Sequence, residues 1–429
     1  MSLRLTNGDR VCIIGGGPGG SLAALHLLKL ARQEELRLEV LIFEPRNFSL
    51  PGPVGCNRCA GILSSRLLQG LESLGITLPD EVIQAELHSY AAHLDGEVVR
   101  IVQPDSQRRI VSVYRSGGPR LLKGEPLASF DGFLLNQAVL QGAQHVPSRI
   151  HKVTWQGSPV IRTARERFQA DLVVLATGVN SRSPLSPDFG YHPPQTAVMA
   201  QDEIFRPPTW PEDQVNVYFK KPPGLIFGAL IPKGNYVNIS LLGEGLTKDT
   251  VEDFIDMQGL GASLPDSPNS LCGCTPRIAV SPARGFFGTR WVAVGDAAVT
   301  RLYKDGIGSA FHTAKTAMQV AIRHGISHRA FQKKYAPFCR KVARDNQYGR
   351  FLFYLWNLSL KSPTLISVLR NTIRMETEGN PEQRVNIRLL WGMFTGDEAY
   401  RDLFWQLFRR DSLRNLIRGR RTPAPRKRE

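Results

Sequence analysis

Three glycines near the start of the chain, Gly15, Gly17 and Gly20 in GGGPGG, are spaced G-x-G-x-x-G. That spacing suits a turn that holds a phosphate. The first glycine permits the tight bend, the second lets a pyrophosphate approach the backbone, and the third lets a helix lie close on a strand. Pro18 and Gly19 complete the turn, and the N–H groups at the start of the following helix supply the attraction. Glu44, at the end of the next apolar run, is placed to accept hydrogen bonds from a ribose. Cys56 and Cys59 in CNRC are within disulfide reach of each other, and with Cys272 and Cys274 they could make four zinc ligands; a redox pair, a metal site and plain buried thiols all remain open. Cys12, inside an apolar run, reads as core. His88, His93, His151 and His312 are scattered without metal-ligand spacing and read as structural or solvated.

The elements that must carry these groups follow from hydrophobic periodicity. The run from Arg10 to Ile14 precedes the glycine turn, Ser21 to Leu30 repeats at helical spacing, and Leu38 to Phe43 is a second apolar run. Strand, turn, helix and strand make a βαβ unit, and its parallel strands predict a doubly wound α/β domain. Asp171 to Ala176 is another buried strand. After Asn180 the chain becomes proline-rich, then offers strands at Val215 to Phe219, Leu225 to Ile231 and Tyr236 to Leu242, the pattern of a separate, mostly antiparallel sheet. The buried-strand style returns at Arg290 to Val294, ahead of a helix from Ile307 to His324. A nucleotide domain interrupted and resumed is therefore expected over 1–185 and 275–325, with part of 80–115 joining the sheet of a substrate domain at 186–274 and a basic helical region at 326–429.

Later motifs identify the nucleotide. ADLVVLATG, ending at Gly178, resembles the strand-plus-ATG segment of two-dinucleotide flavoproteins, and RWVAVGDAAV followed by DGIGSA resembles their second flavin signature. In that resemblance Gly295 and Asp296 meet the ribityl chain, and the helix begun by Gly306, Ile307 and Gly308 turns its positive end toward the flavin N1/O2 edge. Four more segments extend the likeness: CAG from Cys59, VYR ending in Arg115, SFDGFLLNQA from Ser129 and FGALIPKGNYVNISLLG from Phe227. With them, residues 10–325 resemble the geranylgeranyl reductase family, flavoproteins of the aromatic-hydroxylase fold.

The resemblance implies an α/β protein: a Rossmann-type FAD-binding domain with an inserted, mostly antiparallel β-sheet substrate domain and a helical C-terminal extension. It implies FAD as cofactor, NAD(P)H or ferredoxin as electron donor, Arg115 among the cofactor contacts, and Cys59 beside the isoalloxazine. It also implies substrate positions at Phe227, Ala229, Ile231 and Lys233, and reduction of C=C bonds in an isoprenoid or lipid-like substrate by hydride transfer. Ala229 and Ile231 stand where the family has aromatic residues, and Ser116 to Ala128 is inserted between the Arg and Phe-Asp elements. Lys233 follows a proline, where it either meets an anionic head group or is solvated. The same fold also carries flavin monooxygenases and halogenases, and the cysteine pair leaves a membrane-associated thiol electron-transfer protein open.

At 429 residues the chain exceeds what one core usually serves. Its net charge of +16 is concentrated late: from Ala321 onward there are 23 Lys and Arg against 9 Asp and Glu. Such a segment suits an anionic lipid surface or a solvated tail, and no nucleic-acid motif accompanies it. From Arg401 to Arg421, Leu403, Phe404, Leu407, Phe408, Leu413, Leu416 and Ile417 alternate with Arg409, Arg410, Arg414, Arg418 and Arg420. This predicts one basic amphipathic helix, either interfacial or packed on the body. With no leader-like start and no apolar run long enough to span a bilayer, a cytoplasmic protein, peripheral on the inner face of the membrane, is expected.

Overall fold

Val11 to Ile14 are buried in the strand Arg10–Ile14, which pairs in parallel with Glu39–Phe43 on one side and Leu172–Leu175 on the other. A parallel strand covered on both faces must be apolar throughout, which is why it reads as a run and not as an alternation. The computed structural model describes residues 3–56, 60–94, 96–219, 222, 224–261 and 271–421. These fall into two compact units, one of 1–83, 113–197 and 276–343, the other of 84–112, 198–275 and 344–429.

In the first unit the central sheet runs in the order Phe287–Gly288, Trp291–Ala293, Leu172–Leu175, Arg10–Ile14, Glu39–Phe43, Gln144–Val146. Every neighbouring pair in it is parallel except the Phe287–Gly288 edge. Helix Pro18–Gln33 begins with a proline, whose fixed φ and missing N–H cost nothing at that position. It lies beside helix Gly306–Arg323, the His26 ring meeting Phe311 edge-on at 4.8 Å. A small antiparallel sheet, Lys152–Trp155, Pro159–Arg162 and Arg167–Gln169, also belongs to this unit.

The second unit is built on strands in the order Thr196–Phe205, Tyr236–Gly243, Leu225–Lys233, Gln214–Tyr218, Ser89–Leu94, Glu97–Val102. All of these pairings are antiparallel except that of Gln214–Tyr218 with Ser89–Leu94. Ile204, Leu230, Val237, Ile239 and Leu241 pack with Val251, Phe254 and Ile255 of helix Lys248–Met257 into one apolar cluster. Residues 344–429 cluster with this sheet and do not form a third body, and the boundary expected near 326 falls at 343. Their helices are tied by one buried carboxylate. Glu376, on helix Pro363–Glu378, accepts from the backbone N–H groups of Asn386 and Ile387 at 2.9 Å each, and from the side-chain amides of Asn386 at 2.7 Å and Asn415 at 2.8 Å. It thus caps helix Val385–Thr395 and anchors the last helix. The single helix expected over 401–421 is two, Tyr400–Leu407 and Arg410–Arg421. Asp345 fixes the start of the first through Tyr400 N at 3.0 Å and Arg401 N at 2.9 Å, while the second docks on Pro363–Glu378, so separate anchors break the run. Among the described residues no helix is long and apolar enough to cross a membrane.

Candidate functional site

The glycine turn closes as its spacing requires. Gly15 has φ +104° and an added Cβ would lie 2.7 Å from Ala176 O; on Gly20 it would lie 1.8 Å from Gly15 O. Neither position admits a side chain, because the obstacles are backbone atoms. Gly17 is the N-cap of the first helix and Pro18 its first residue. Gly15 N donates to Phe43 O and Gly20 N to Gly17 O, while among the described residues the N–H groups of Gly17 and Gly19 have no acceptor, the usual condition of a helix start that meets an anion. Glu44 is buried, with one carboxylate oxygen accepting from Gly16 N at 2.9 Å and the other from Arg46 N at 3.0 Å. Those bonds orient it beside the turn and leave lone pairs for a further donor.

The second turn comes to the first. A Cβ on Gly19 would lie 3.7 Å from Ala176 Cβ, 4.0 Å from Ala310 Cβ and 4.0 Å from Val294 Cγ2, so the glycine turn, the ATG strand end and the later helix share one place. Gly178 lies just past that strand end, at φ +63°. Gly295 donates its N–H to Thr313 Oγ1 at 2.8 Å, which fixes the Gly-Asp turn to the helix. The Cβ direction of Gly306 points within 3.8 Å of the Asp296 carboxylate, so this acid stands at the helix start.

The start of that helix carries a cap of its own. Asp305 is its N-cap, accepting from Gly308 N at 3.2 Å and from the Ser64 hydroxyl at 3.1 Å. Its carboxylate offsets part of the positive helix end. The N–H groups of Gly306 and Ile307 have no acceptor among the described residues and still point outward from the first turn. Tyr303 and Asp305 both adopt left-handed φ, +63° and +52°, at a cost of roughly 1–3 kcal/mol each for non-glycine residues, the kind of strain found where a loop is shaped for a ligand. Asp305 was not singled out from the sequence, although an aspartate directly before Gly306 is a capping signal; its tie to Ser64 had no sequence signal.

Arg115 grips Asp131 through Nε and Nη2, both at 2.7 Å, in a two-pronged pair whose carboxylate is wholly buried. Burial pushes the Asp296 carboxyl above the ordinary carboxylate range, while a hydrogen bond from Thr300 and the charge of Arg115 pull it back. Arg115 therefore acts on the site by holding Asp131 and by its field on Asp296. In the loop leading to the helix, burial lowers the Lys304 ammonium to about 8. Asp131 sits in the Phe-Asp element that the sequence pointed to; Thr300 and Lys304 carried no signal.

The expected substrate positions lie in the second unit on one strand face, since Phe227, Ala229, Ile231 and Lys233 alternate along Leu225–Lys233. All four are buried. Lys233 is no solvated turn residue: it lies within a strand with Nζ 3.4 Å from Glu203 Oε1, because the strand continues past the proline and pairs Lys233 with Tyr236. Ala229 pairs with Ser240 and Ile231 with Asn238, and there Gln201 Nε2 donates to Ser240 Oγ at 2.9 Å and Ser240 Oγ to Asn238 Oδ1 at 2.7 Å. Beside the two missing aromatics runs a row of buried polar side chains.

Cys59 lies outside the described residues. Among those described no disulfide and no group of metal-ligating side chains occurs. Cys272 and Cys274 flank a turn whose N–H groups at Cys272 and Gly273 are held by the Asp202 carboxylate at 3.1 and 2.8 Å. Cys12 is buried in its strand, its thiol pushed up to about 12.

No family model matches the sequence, and no curated protein matches it. Solved structures do match in fold. A geranylgeranyl bacteriochlorophyll reductase-like protein from Thermoplasma acidophilum has a TM-score of 0.60 at 18% identity, over 94% of this chain and 99% of that one. A flavin-dependent brominase variant has 0.57 at 16% over 95% and 99%, and a variant of Klebsiella pneumoniae HpxO complexed with FAD has 0.55 at 16% over 95% and 99%. The chain therefore has the mixed α/β fold shared by geranylgeranyl reductase-like proteins and flavin-dependent oxygenases and halogenases.

Proposed function

We propose that the chain is an FAD-dependent oxidoreductase that reduces a C=C bond in an isoprenoid or lipid-like substrate by hydride transfer. The observation that carries this reading is the meeting, in one unit, of two helix starts with uncommitted N–H groups, at Gly17 and Gly19 and at Gly306 and Ile307, around the glycine turn and Asp296. This donor set fits a dinucleotide. Gly17 and Gly19 would hold the pyrophosphate, Glu44 the ribose and Asp296 the ribityl hydroxyls. FAD held there would supply a two-electron carrier for hydride delivery, reduced either by hydride from NAD(P)H or by two single electrons from ferredoxin together with a proton from solvent.

The remaining work falls to the chain itself. The N–H groups of Gly306 and Ile307 favour negative charge at the helix start, and Asp305 limits how strongly they do so. Thr300 and the charge of Arg115 counter part of the upward push that burial exerts on the Asp296 carboxyl. The Arg115–Asp131 pair fixes the guanidinium whose field does this.

Similarity of fold to the reductase-like protein supports C=C reduction. The polar row Gln201, Ser240 and Asn238, next to Ala229 and Ile231, favours a second reading, a flavin monooxygenase or halogenase on the same fold, since a bare hydrocarbon offers such groups nothing. An absorbance spectrum of the purified protein, followed by anaerobic dithionite and then a polyprenyl diphosphate, separates them. Bleaching of bound flavin and its return with the prenyl compound alone supports the reductase. Return only with oxygen supports the second reading, and failure to take up FAD at all sinks both.

A further inference from the structure

The last helix of the second unit, Arg410–Arg421, is built with its small and polar side inward. Ser412 and Gly419, seven residues apart and so on one face, are its buried residues. Asn371 Nδ2 donates to Gly419 O at 3.0 Å, and Asn415 Nδ2 donates to Glu376 Oε1 at 2.8 Å, so the inward stripe is held to Pro363–Glu378 by hydrogen bonds. Leu413 and Ile417, one turn apart, point away from that contact and are 43% and 56% exposed. A helix stabilised only by packing on its own protein does the reverse, burying leucine and isoleucine and exposing serine and asparagine. The exposed pair is bordered by Arg410, Arg414, Arg420 and Arg421, all exposed.

The apolar surface continues beyond this helix. Trp405 is 56% exposed, and Phe408 is also exposed. Phe404 joins them to helix Ala336–Ser359, its ring 5.1 Å from Trp405, 5.1 Å from Phe408 and 5.5 Å from Phe351. Phe351, Tyr354 and Leu358, spaced for one face of helix Ala336–Ser359, are exposed in turn. Between Arg401 and Arg421 seven arginines stand against two aspartates.

We propose that this surface docks on the anionic headgroup layer of a lipid bilayer, with Leu413, Ile417, Trp405 and Phe408 entering the interface and the surrounding arginines meeting lipid phosphates. Leucine and aromatic side chains set among arginines are what a helix lying in that layer requires. Charge decides the occupant: a second copy of the chain would set arginines against arginines, whereas an anionic surface complements them. The proposal does not rest on the reaction proposed above, and its test does not involve turnover.

Co-sedimentation of the full chain with vesicles of phosphatidylcholine, alone or with about one part in three of phosphatidylglycerol, tests it. Binding is expected to the anionic vesicles only and to weaken at high salt. The pair Leu413→Asn and Ile417→Asn, and separately the triple Arg410→Gln, Arg414→Gln and Arg421→Gln, should each reduce binding by roughly tenfold or more. All five sites are exposed, so the melting temperature should be unchanged. Tryptophan emission should shift to the blue on binding, and Trp405→Phe should remove most of that shift. Equal binding to both vesicles, no binding to either, variants that bind as well as the parent, or association of the chain with itself through Leu413 and Ile417 in place of lipid would each overturn the proposal.

Discussion

The two units bury charge in different ways. In the first, the Asp131 carboxylate has no exposure and is held by two 2.7 Å bonds from Arg115; in the second, Lys233 is as deeply buried, but its Glu203 partner lies 3.4 Å away and is 22% exposed. The carboxylate of the first pair is closed off from water and that of the second is vented to it. The first unit also builds its site from backbone, with glycines that admit no Cβ, whereas the second relies on side chains paired across strands. A site made of backbone should be intolerant of any side chain, and one made of side chains should lose only what the altered group contributed.

The sharpest way to break this contrast is Gly20→Val. Its Cβ would meet Gly15 O at 1.8 Å with no flexible side chain to yield. We expect flavin affinity to fall by more than about a hundredfold, since a displaced turn removes several phosphate donors at once. Flavin absorbance per protein after FAD reconstitution measures it. Retention of stoichiometric flavin would show that the turn is not the phosphate site.

Next in size is Arg115→Met, which strands the Asp131 carboxylate in a closed site. A loss of about 3–5 kcal/mol is expected, the cost of an uncompensated buried charge. Adding Asp131→Leu to Arg115→Met should recover much of the loss, as measured by denaturant unfolding. If the double variant is no better than the single, the guanidinium is needed for something other than its carboxylate partner.

Histidines extend the comparison to pH. His93, in the second unit, has Nε2 3.1 Å from Asn216 Oδ1 and stacks on Tyr218. His26, in the first, is buried with Nε2 unpartnered among the described residues, and burial together with Lys315 and Lys29 lowers it to about 3. The unfolded imidazole takes a proton near 6.5, so between those values the unfolded state binds more protons and stability falls as pH falls; above 6.5 it is flat. The expected loss is on the order of 3 kcal/mol by about pH 4, and His26→Leu should remove it while leaving neutral stability little changed. Melting curves across that range decide, and an unchanged acid limb would place the sensitivity elsewhere.

What could be read without coordinates follows the same division. Gly15, Gly17, Gly20, Glu44, Gly295, Asp296 and Gly306 belong to short contiguous turns between apolar strands and helices, and contiguity is what a sequence preserves. The central strands were legible for the same reason, being buried on both faces. The Arg115–Asp131 grip was only half visible, because an insertion separates its partners, and the Ser64–Asp305 bond, 241 residues apart, was not visible at all. Of the two readings of Lys233, the solvated one fails because Pro232 continues the strand, pairing with Val237, and leaves Lys233 buried at the strand's last position. The split of the C-terminal helix depends on Asp345 and Glu376, which lie in other helices.

The smallest effect is the most discriminating. Lys233→Met removes a buried cation, but the Glu203 carboxylate it leaves can turn to water, so a loss of only about 1 kcal/mol is expected, well below that of Arg115→Met. Methionine nearly matches the volume of the lysine stem, which keeps the packing against neighbouring strands out of the comparison. The same variant reports on binding: if Lys233 serves only its strand partner, affinity for a polyprenyl diphosphate should be unaffected, whereas a head-group contact would cost roughly tenfold, a charge-assisted bond's worth. A stability loss as large as that of Arg115→Met would mean that Glu203 is as closed off as Asp131, and the distinction between a sealed pair and a vented one would fail.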